Sequence, residues 1–483
     1  MKKFSLAIFI SLVSIITVKA QNEVDALRYS QITFGGTARS MGMGGAFGAL
    51  GADFSSLSTN PAGIGLYKKS ELTFTPSFYE GKTSSSFNGT SNDDSKYNLN
   101  ISNVGLVVAF EPSKNLTNSG WKNFQFGFGM NRYANFNNRM MIEGFNSSSS
   151  LLSSFVNEAN GTAPSDLYAF DLGLAYKTDL IYSDTTGNNK YKNDMPNGGV
   201  LQSKTVTTNG CINEIVLSFG ANYNDKLYFG ATIGFPQLRY FEESTYSEIN
   251  TSDPGNYFNS FSYNQNMETK GNGINLKLGM IYRPADWVRI GAAIHTPTFY
   301  NYMRDKWSSS MSSRFNDGNG YTADSPDGSF DYTLETPMRA IGSVAFIIGN
   351  YGLISGDYEY VDYSNAKLRS DDDDFVDANN AIRNNYQDQS NIRLGTEWRV
   401  GPQFSIRGGY ALYGSPYKSG INDAERTSYT AGLGYRDQDF FADFAYVLTQ
   451  SKEKYYLYNY EGMPAVQNDL KTNNFVLTFG FKF

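Results

Sequence analysis

The chain has 483 residues, 15% of them aromatic, a mean hydropathy of −0.42 and a formal net charge of −7 at pH 7. No apolar run after residue 20 is long enough to cross a bilayer as a helix, which excludes a helical membrane protein, and the acidic balance argues against a nucleic-acid partner. The single cysteine, Cys211, cannot form an internal disulfide, so packing and hydrogen bonds must hold the fold.

Residues 1–20, MKKFSLAIFISLVSIITVKA, have the features of a secretory signal peptide. A basic start is followed by an apolar run from Phe4 to Val18 and by small residues before a cut after Ala20. The mature chain is then expected to start at Gln21, which is not the cysteine that a lipid anchor needs. Removal of the signal takes away three lysines and no acid, so the net charge falls from −7 to −10.

Residues 21–69 form a Gly-rich stretch without strand alternation. Its apolar side chains, among them Phe47 and Phe54, need a partner surface, so the stretch is too apolar to hang free in the periplasm. We predict that it packs as a hatch, or plug, in the lumen of a β-barrel that the rest of the chain, residues 70–483, is predicted to form. A barrel of about fourteen strands encloses more space than its own side chains fill.

This stretch contains the turn Asn60-Pro61-Ala62-Gly63. Asn60 precedes a proline and is therefore biased to an extended backbone, Pro61 fixes its own φ, and Ala62 and Gly63 let another backbone approach closely. We predict that the turn holds the hatch against the barrel wall. The alternative is an ordinary surface turn.

Residues 70–483 are predicted to form an all-β domain, a transmembrane antiparallel barrel of about 14 strands. The final stretch, FVLTFGFKF, places five apolar residues on one face and small or polar residues on the other, and a terminal aromatic strand resembles the assembly signal of outer-membrane barrels. Strands are predicted near 70–80, 99–112, 122–144, 200–223, 225–248, 259–283, 286–303, 330–349, 352–368, 388–400, 403–414 and in three further stretches up to Phe483.

The connections alternate in length, as the two sides of an outer-membrane barrel require. Short turns are predicted at 223–227, 283–287, 349–352, 400–403 and 436–439, and longer polar loops lie between them. Strand period and loop parity together favour a membrane barrel over a soluble all-β protein.

Two stretches depart from simple strands and turns. In the third strand, Gly127 and Gly129 are candidates for a kink, because a kink or bulge costs little free energy at a residue without a side chain. The outer loop at 145–199 is apolar enough for short amphipathic helices. It is either a folded cap that buries its own side chains or an apolar landing site at the mouth of the barrel.

Strand parity places many charged side chains in the lumen, where they avoid the cost of facing lipid. The predicted lumen set is Lys277, Arg289, His295, Arg339, Asp357, Glu359, Arg393, Glu397, Arg399 and Arg407. The simplest interpretation is that these residues form ion pairs from wall to wall or from wall to hatch.

The sequence TARSMGMGGAFGALGADFSSLSTNPAG, followed by a barrel, resembles the N-terminal hatch of the FadL/TodX family of outer-membrane hydrocarbon transporters. The likeness is strongest over residues 28–66. In that family the Asn-Pro-Ala motif lies in a hatch that blocks the lumen, near an inward kink of the third strand that opens a lateral window. It corresponds here to Asn60, Pro61 and Ala62.

The resemblance implies a monomeric barrel in the outer membrane of a Gram-negative-type bacterium. It would pass long-chain fatty acids or aromatic hydrocarbons without an energy source, gated by the hatch, with lateral exit toward membrane lipid. One or two of Lys277, Arg339 and Arg393 would then receive a ligand carboxylate whose tail lies beside Phe47 and Phe54.

Other functions are less well supported by the residues. His295 has no identifiable serine or acid partner for hydrolysis, so no enzyme is predicted, and neither a cofactor nor a metal is expected. The alternative function is a barrel whose outer loops dock proteins, as in a secretion system. A closed apolar pocket beside Asn60 would favour transport, and packed polar side chains there would favour docking.

Overall fold

The computed structural model describes residues 22–111, 117, 119–184 and 187–483. The predicted signal peptide lies outside these residues. Within them, no helix is long and apolar enough to cross a membrane.

Antiparallel strands form a closed barrel of 14 strands, because the last strand pairs with the first along most of its length. Four of the 14 crossings are interrupted, at 136–137, 296–298, 336–338 and 363–366. In chain order the strands are β1 (Glu71–Phe87), β2 (Thr90–Phe110), β3 (Trp121–Asn135), β4 (Asn138–Asn146), β5 (Tyr182–Ser183), β6 (Tyr191–Lys192), β7 (Val200–Tyr223), β8 (Leu227–Asn250), β9 (Phe258–Ala285), β10 (Val288–His295), β11 (Phe299–Phe315), β12 (Gly320–Asp324), β13 (Gly328–Glu335), β14 (Arg339–Ile348), β15 (Gly352–Asp362), β16 (Lys367–Arg369), β17 (Asp388–Arg399), β18 (Phe404–Tyr413), β19 (Arg426–Arg436), β20 (Phe440–Tyr455) and β21 (Val466–Lys482).

The predicted barrel strands and short turns are confirmed, with two differences. The strands predicted at 122–144, 286–303, 330–349 and 352–368 are each interrupted once. Several strands continue beyond their predicted outer ends, as β1 does to Phe87, where polar side chains replace the apolar alternation. Sequence period marks the stretch in contact with lipid, whereas backbone pairing continues into the outer loops. The short turns fall at 224–226, 286–287, 349–351, 400–403 and 437–439.

Side-chain alternation follows the predicted phase. In β21, Leu477 and Phe479 are 45% and 39% exposed, whereas Thr478 between them is fully buried. Of the predicted lumen charges, Arg399 is the exception, because it ends β17 and is exposed there. Exposed aromatic residues next to the short turns, such as Trp287 and Tyr351, have the positions expected of an interfacial belt.

Helices occur in the N-terminal segment and in outer loops. Asn22 caps the first helix by accepting hydrogen bonds from the backbone N–H groups of Val24 and Asp25. The α-helices are α1 (Glu23–Ser30), α2 (Ala38–Met41), α3 (Ser56–Thr59), α4 (Leu151–Ala159), α5 (Leu172–Lys177) and α6 (Val376–Asn385), with 3-10 turns at Pro61–Leu66, Pro164–Asp166 and Tyr363–Asn365.

The loop at 145–199 contains the short helices α4 and α5 and the hairpin β5–β6. Its apolar side chains, including Leu152, Phe155 and Leu174, are buried in a cluster with outer parts of the strands. Glu248 of β8 accepts the backbone N–H of Leu151 at 2.8 Å, which fixes the start of α4. This packing supports the folded-cap interpretation of the loop over the landing site.

Candidate functional site

The N-terminal segment, residues 22–69, contacts inward-facing groups on several sides of the barrel. The backbone N–H of Ala38 donates to Thr478 of β21 at 2.7 Å, and Thr430 of β19 donates to the carbonyl of Gly42 at 3.0 Å. On another side, Arg289 of β10 donates to the carbonyl of Leu50 at 2.8 Å. These bonds connect the segment to strands that are far apart around the barrel.

Asn60 is 1% exposed and uses both ends of its amide. Its Nδ2 donates to the carbonyls of Gly48 at 2.6 Å and Met280 at 3.2 Å, and its Oδ1 accepts from the backbone N–H of Ala62 at 3.1 Å. The turn is therefore buried between its own segment and β9. It is not an ordinary surface turn.

A pair of wall glycines makes room for this turn. Gly230 of β8 and Gly279 of β9 face each other in the ladder. A Cβ on Gly279 would lie 1.9 Å from Oδ1 of Asn60, and a Cβ on Gly230 would lie 2.2 Å from the carbonyl of Pro61. The wall thus has a notch, formed by glycine at two adjacent positions, into which Asn60 and Pro61 fit.

Phe47 and Phe54 are both buried in the contact between segment and wall. The backbone N–H of Phe47 donates to Asp357 at 3.0 Å, and the guanidinium of Arg39 lies 5.3 Å from its ring centre. Phe54 packs where Gly129 of β3 has no side chain, since a Cβ there would lie 2.5 Å from the ring. In this state the two rings pack against protein groups.

Gly127 and Gly129 lie in a regular part of β3, paired with β2 on one side and β7 on the other. A Cβ on Gly127 would lie 2.6 Å from a methyl group of Leu57, so these glycines accommodate the N-terminal segment. The departure of the third strand from the wall occurs later in the chain than the two predicted glycines.

The backbone pairing of β2 with β3 stops partway along β2. The β2–β3 ladder ends at the pair Asn103 and Asn131, and β3 then shifts register against β7 and is interrupted at 136–137. Its continuation, β4, stays paired with β7 and contacts the β1–β2 hairpin, where the Nδ2 of Asn88 donates to the carbonyl of Phe145 at 2.9 Å. We call the region between residues 90–102 of β2, which pair with β1 but not with β3, and the end of β3 the lateral gap. Side chains cross it, since Asn135 donates to Asn98 at 3.4 Å and Lys96 donates to the carbonyl of Thr208 at 3.1 Å.

The basic residues predicted to bind a carboxylate are already ion-paired in the lumen. Lys277 lies 2.5 Å from Glu214, and Glu359 lies 2.8 Å from Arg339 and 3.1 Å from Arg393. All five side chains are buried. This arrangement agrees with the interpretation of these charges as wall-to-wall pairs.

A second ionic network joins the N-terminal segment to the wall. Arg39 of α2 donates to both oxygens of Glu397, at 2.8 and 3.0 Å. Arg407 bridges Glu397 at 2.6 Å and Asp443 at 2.7 Å. Sequence reasoning did not identify Arg39, because α2 lies in a stretch without strand parity that could assign the direction of its side chains.

A cavity of about 320 Å³ lies beside the lateral gap. It is lined on one side by residues 28–41 of the N-terminal segment and on the others by the wall. Both edges of the gap contribute, with Asn100 and Ser102 from β2 and Arg132 and Phe136 from the end of β3 and its interruption. The cavity therefore lies between the N-terminal segment and the lateral gap.

Beside Asn60 the lumen is packed. The described residues around the turn leave a space of about 30 Å³, which has room for little more than a water molecule. It is lined by Ser58, Thr59 and polar wall residues and also by apolar groups of Ile32, Phe34 and Ile341. The closed apolar pocket that would favour transport is not present at this position among the described residues. The larger cavity shares Phe34 with this space but not Ser58 or Thr59.

Comparison with known proteins gives a consistent result. A family model described as outer membrane protein transport protein (OMPP1/FadL/TodX) matches residues 216–483. Similar solved structures include a Pseudomonas aeruginosa FadL homologue (13% identity, 94% of this chain and 99% of that chain, TM-score 0.59) and the P. putida toluene transporter TodX (13%, 93% and 99%, 0.56). The Ralstonia pickettii toluene transporter TbuX is 15% identical, with 93% and 99% coverage and a TM-score of 0.53. No curated protein matches the chain.

Proposed function

This chain belongs to the outer membrane transport family OMPP1/FadL/TodX, and from that premise we propose that it passes hydrophobic small molecules passively across the outer membrane. It is an outer-membrane β-barrel, and its family consists of transport proteins rather than enzymes. In our proposal the N-terminal segment acts as the hatch, and the ligand leaves sideways through the lateral gap.

The observation that carries the proposal is the cavity of about 320 Å³ that touches both edges of the lateral gap. A molecule in this cavity could reach the hydrocarbon layer without crossing the periplasm, so an apolar group would not have to be rehydrated on its way out. Leu99 of β2, which is 77% exposed at the gap, provides an apolar surface for that passage.

In this proposal the segment must move before a ligand can enter or leave, because several contacts with the wall hold the segment in place. The Asn60 turn and the ion pair of Arg39 with Glu397 both fix the segment to the wall. A cross-link between segment and wall should therefore reduce transport.

The structure offers a site for such a cross-link at Gly42 and Ala445. A Cβ built on Gly42 would lie 3.6 Å from the Cβ of Ala445, within the range seen for disulfides. The backbone of Gly42 is helical and needs no glycine. The test variant carries Gly42→Cys and Ala445→Cys in a Cys211→Ser background, and the matched control carries Gly42→Cys alone in the same background.

Uptake of labelled oleate and labelled toluene would be measured in a host that lacks its own transporter of this family. We expect the oxidised double variant to take up much less label than its single-cysteine control and to recover when the disulfide is reduced. Equal uptake by oxidised and reduced double variants, with the disulfide verified by mass spectrometry, would contradict hatch gating.

The protein-docking alternative is favoured by one observation, the close packing beside Asn60, which leaves no ligand-sized pocket among the described residues there. Lipids extracted from purified protein and identified by mass spectrometry separate the two functions. Enriched fatty acids or hydrocarbons that change in an Asn60→Ala, Pro61→Ala variant support transport. The absence of any enriched lipid from both proteins would support docking.

A further inference from the structure

The lining of the cavity contains many polar side chains, although apolar atoms make up the larger part of its surface. More than half of its lining residues are Ser, Thr, Asn, Gln or Arg, and only a minority are apolar. Three arginines line it, Arg28, Arg132 and Arg426, whereas none of the described lining residues is Asp or Glu. The cavity therefore has a positive charge without an acidic group of its own.

Two of these arginines have partners outside the cavity. Arg28 forms an ion pair with Asp25 in α1, and its guanidinium lies 4.5 Å from the ring centre of Tyr240. The Nε of Arg132 donates to Asn213 at 3.0 Å. Neither contact uses a group inside the cavity.

Arg426 differs from both. Its Nε and Nη2 are buried, and neither has a hydrogen-bond partner among the described residues. Its guanidinium carbon lies 5.5 Å from the ring centre of Tyr413. Buried guanidinium N–H groups without acceptors are costly, and a carboxylate is the ligand whose two oxygens match their geometry.

The rest of the lining provides hydroxyl and amide groups near this cation. Ser428 and Thr449 bond to each other at 2.8 Å, and Thr472 and Asn474 line the neighbouring part of β21. A saturated hydrocarbon would displace water from these groups without replacing its hydrogen bonds. Sites built from such groups discriminate strongly against ligands that lack a hydrogen-bonding partner.

We propose that the cavity binds an acyl chain that carries both a carboxylate and hydroxyl groups, with the carboxylate at Arg426 and the hydroxyl groups at the Ser and Thr side chains around it. This inference rests on the proposed transport function and names the substrate class of that site. It assigns the anion contact to Arg426 rather than to the ion-paired Lys277, Arg339 and Arg393.

Three probes separate the two chemical requirements. Ricinoleate and oleate share chain length, double bond and carboxylate and differ by one hydroxyl group, and methyl ricinoleate keeps the hydroxyl group and loses the charge. Binding to the purified full chain would be measured by displacement of a fluorescent fatty acid. We expect ricinoleate to bind roughly tenfold or more tightly than either of the other probes. Each of those probes lacks one charged or buried hydrogen bond, and the loss of such a bond typically weakens binding by about this factor.

Two variants locate the effect. Arg426→Met keeps the volume and should weaken ricinoleate binding roughly tenfold while leaving methyl ricinoleate unchanged. Ser428→Ala combined with Thr449→Val removes both partners of one hydrogen bond, so the fold should tolerate it, and it should reduce the preference for ricinoleate over oleate. Arg304→Met, at an exposed ion pair with Asp331 outside the cavity, is the control.

The outcomes are distinct. Equal binding of oleate, ricinoleate and the methyl ester would overturn this inference and leave hydrophobic transport standing. Unchanged ricinoleate affinity in Arg426→Met would overturn the assignment of the carboxylate. If no probe binds and the cell assay shows no uptake, the transport proposal fails and the inference fails with it.

Discussion

Replacing Asn60 by alanine tests whether the Asn-Pro-Ala turn fixes the N-terminal segment. The substitution removes three hydrogen bonds at a position that is 1% exposed and leaves the carbonyls of Gly48 and Met280 and the N–H of Ala62 without that partner. Only the bond to Met280 joins the segment to the wall, and the other two lie within the segment, so all three are lost together in a state where the turn is both detached and unfolded. At about 1 kcal/mol net for each bond, the native turn loses roughly 3 kcal/mol relative to that state. The fraction of molecules with the turn detached and unfolded should rise roughly a hundredfold, since about 1.4 kcal/mol is a factor of ten.

Hydrogen exchange followed by mass spectrometry measures this fraction directly. Peptides covering residues 46–66 should exchange up to about a hundredfold faster in Asn60→Ala, whereas peptides from β20 and β21 should not change, because their ladders do not depend on the turn. Asn60→Asp should have a larger effect, since a carboxylate cannot donate to the two carbonyls. Asn250→Ala, which removes comparable bonds in an outer loop, is the control.

Two results would refute the reasoning. If exchange of residues 46–66 in Asn60→Ala stays within about threefold of the wild type, the three bonds contribute far less than the additive value that the estimate uses. If exchange rises equally in β20 and β21, the substitution has destabilised the whole barrel, and the turn has no separate role in holding the segment.

Three further predictions concern other contacts of the segment. Gly279→Ala should reproduce the exchange pattern of Asn60→Ala, because its methyl group would occupy the position of the Asn60 oxygen, whereas Gly342→Ala, which has open space, should not. Glu397→Gln leaves the buried guanidinium of Arg39 without its carboxylate partner and leaves Arg407 with Asp443 alone, and it should cost about 3–5 kcal/mol in unfolding experiments. Burial, opposed by Arg28, raises the pKa of Asp25 from 3.8 to about 7. The folded protein therefore keeps a proton that the unfolded chain releases, so protection of α1 should fall as the pH rises from about 4 to 7, and Asp25→Asn should abolish this slope in exchange measurements.

The barrel could be predicted from the sequence because the alternation of apolar and polar residues within each wall strand reflects the surroundings of its two faces. The alternation from Phe475 to Phe483 reflects lipid on one face and lumen on the other, and the same phase placed Arg393 and Arg407 inward. The turn at Asn60 was recognisable because Asn-Pro restricts its own backbone. These signals depend only on neighbouring residues, so one sequence is enough to read them.

Contacts between distant strands decide where the lateral gap lies. They also decide that the Nε and Nη2 of Arg426 have no hydrogen-bond partner among the described residues. Nothing between Arg132 and Asn138 predicts that the strand leaves its partner, because the change follows from the packing of β4 against the β1–β2 hairpin. Arg393 and Arg426 have the same residue type and the same inward phase. They differ in what lies near them, since Arg393 has Glu359 of the adjacent strand, whereas the register partners of Arg426 are Tyr413 and Ser451.

The positions of the charges separate holding the hatch from binding a ligand. The acidic groups that pair with lumen arginines, such as Glu397 and Asp443, fix α2 and the wall beside it, whereas the described lining of the cavity contains no acid. Yet Met41 of α2 also lines the cavity, one turn or less from Arg39. In our proposal a ligand in the cavity touches this helix, whose ion pair holds the segment. If the ligand binds the attached and the detached segment with different affinities, its binding and the release of the segment change each other by the same factor.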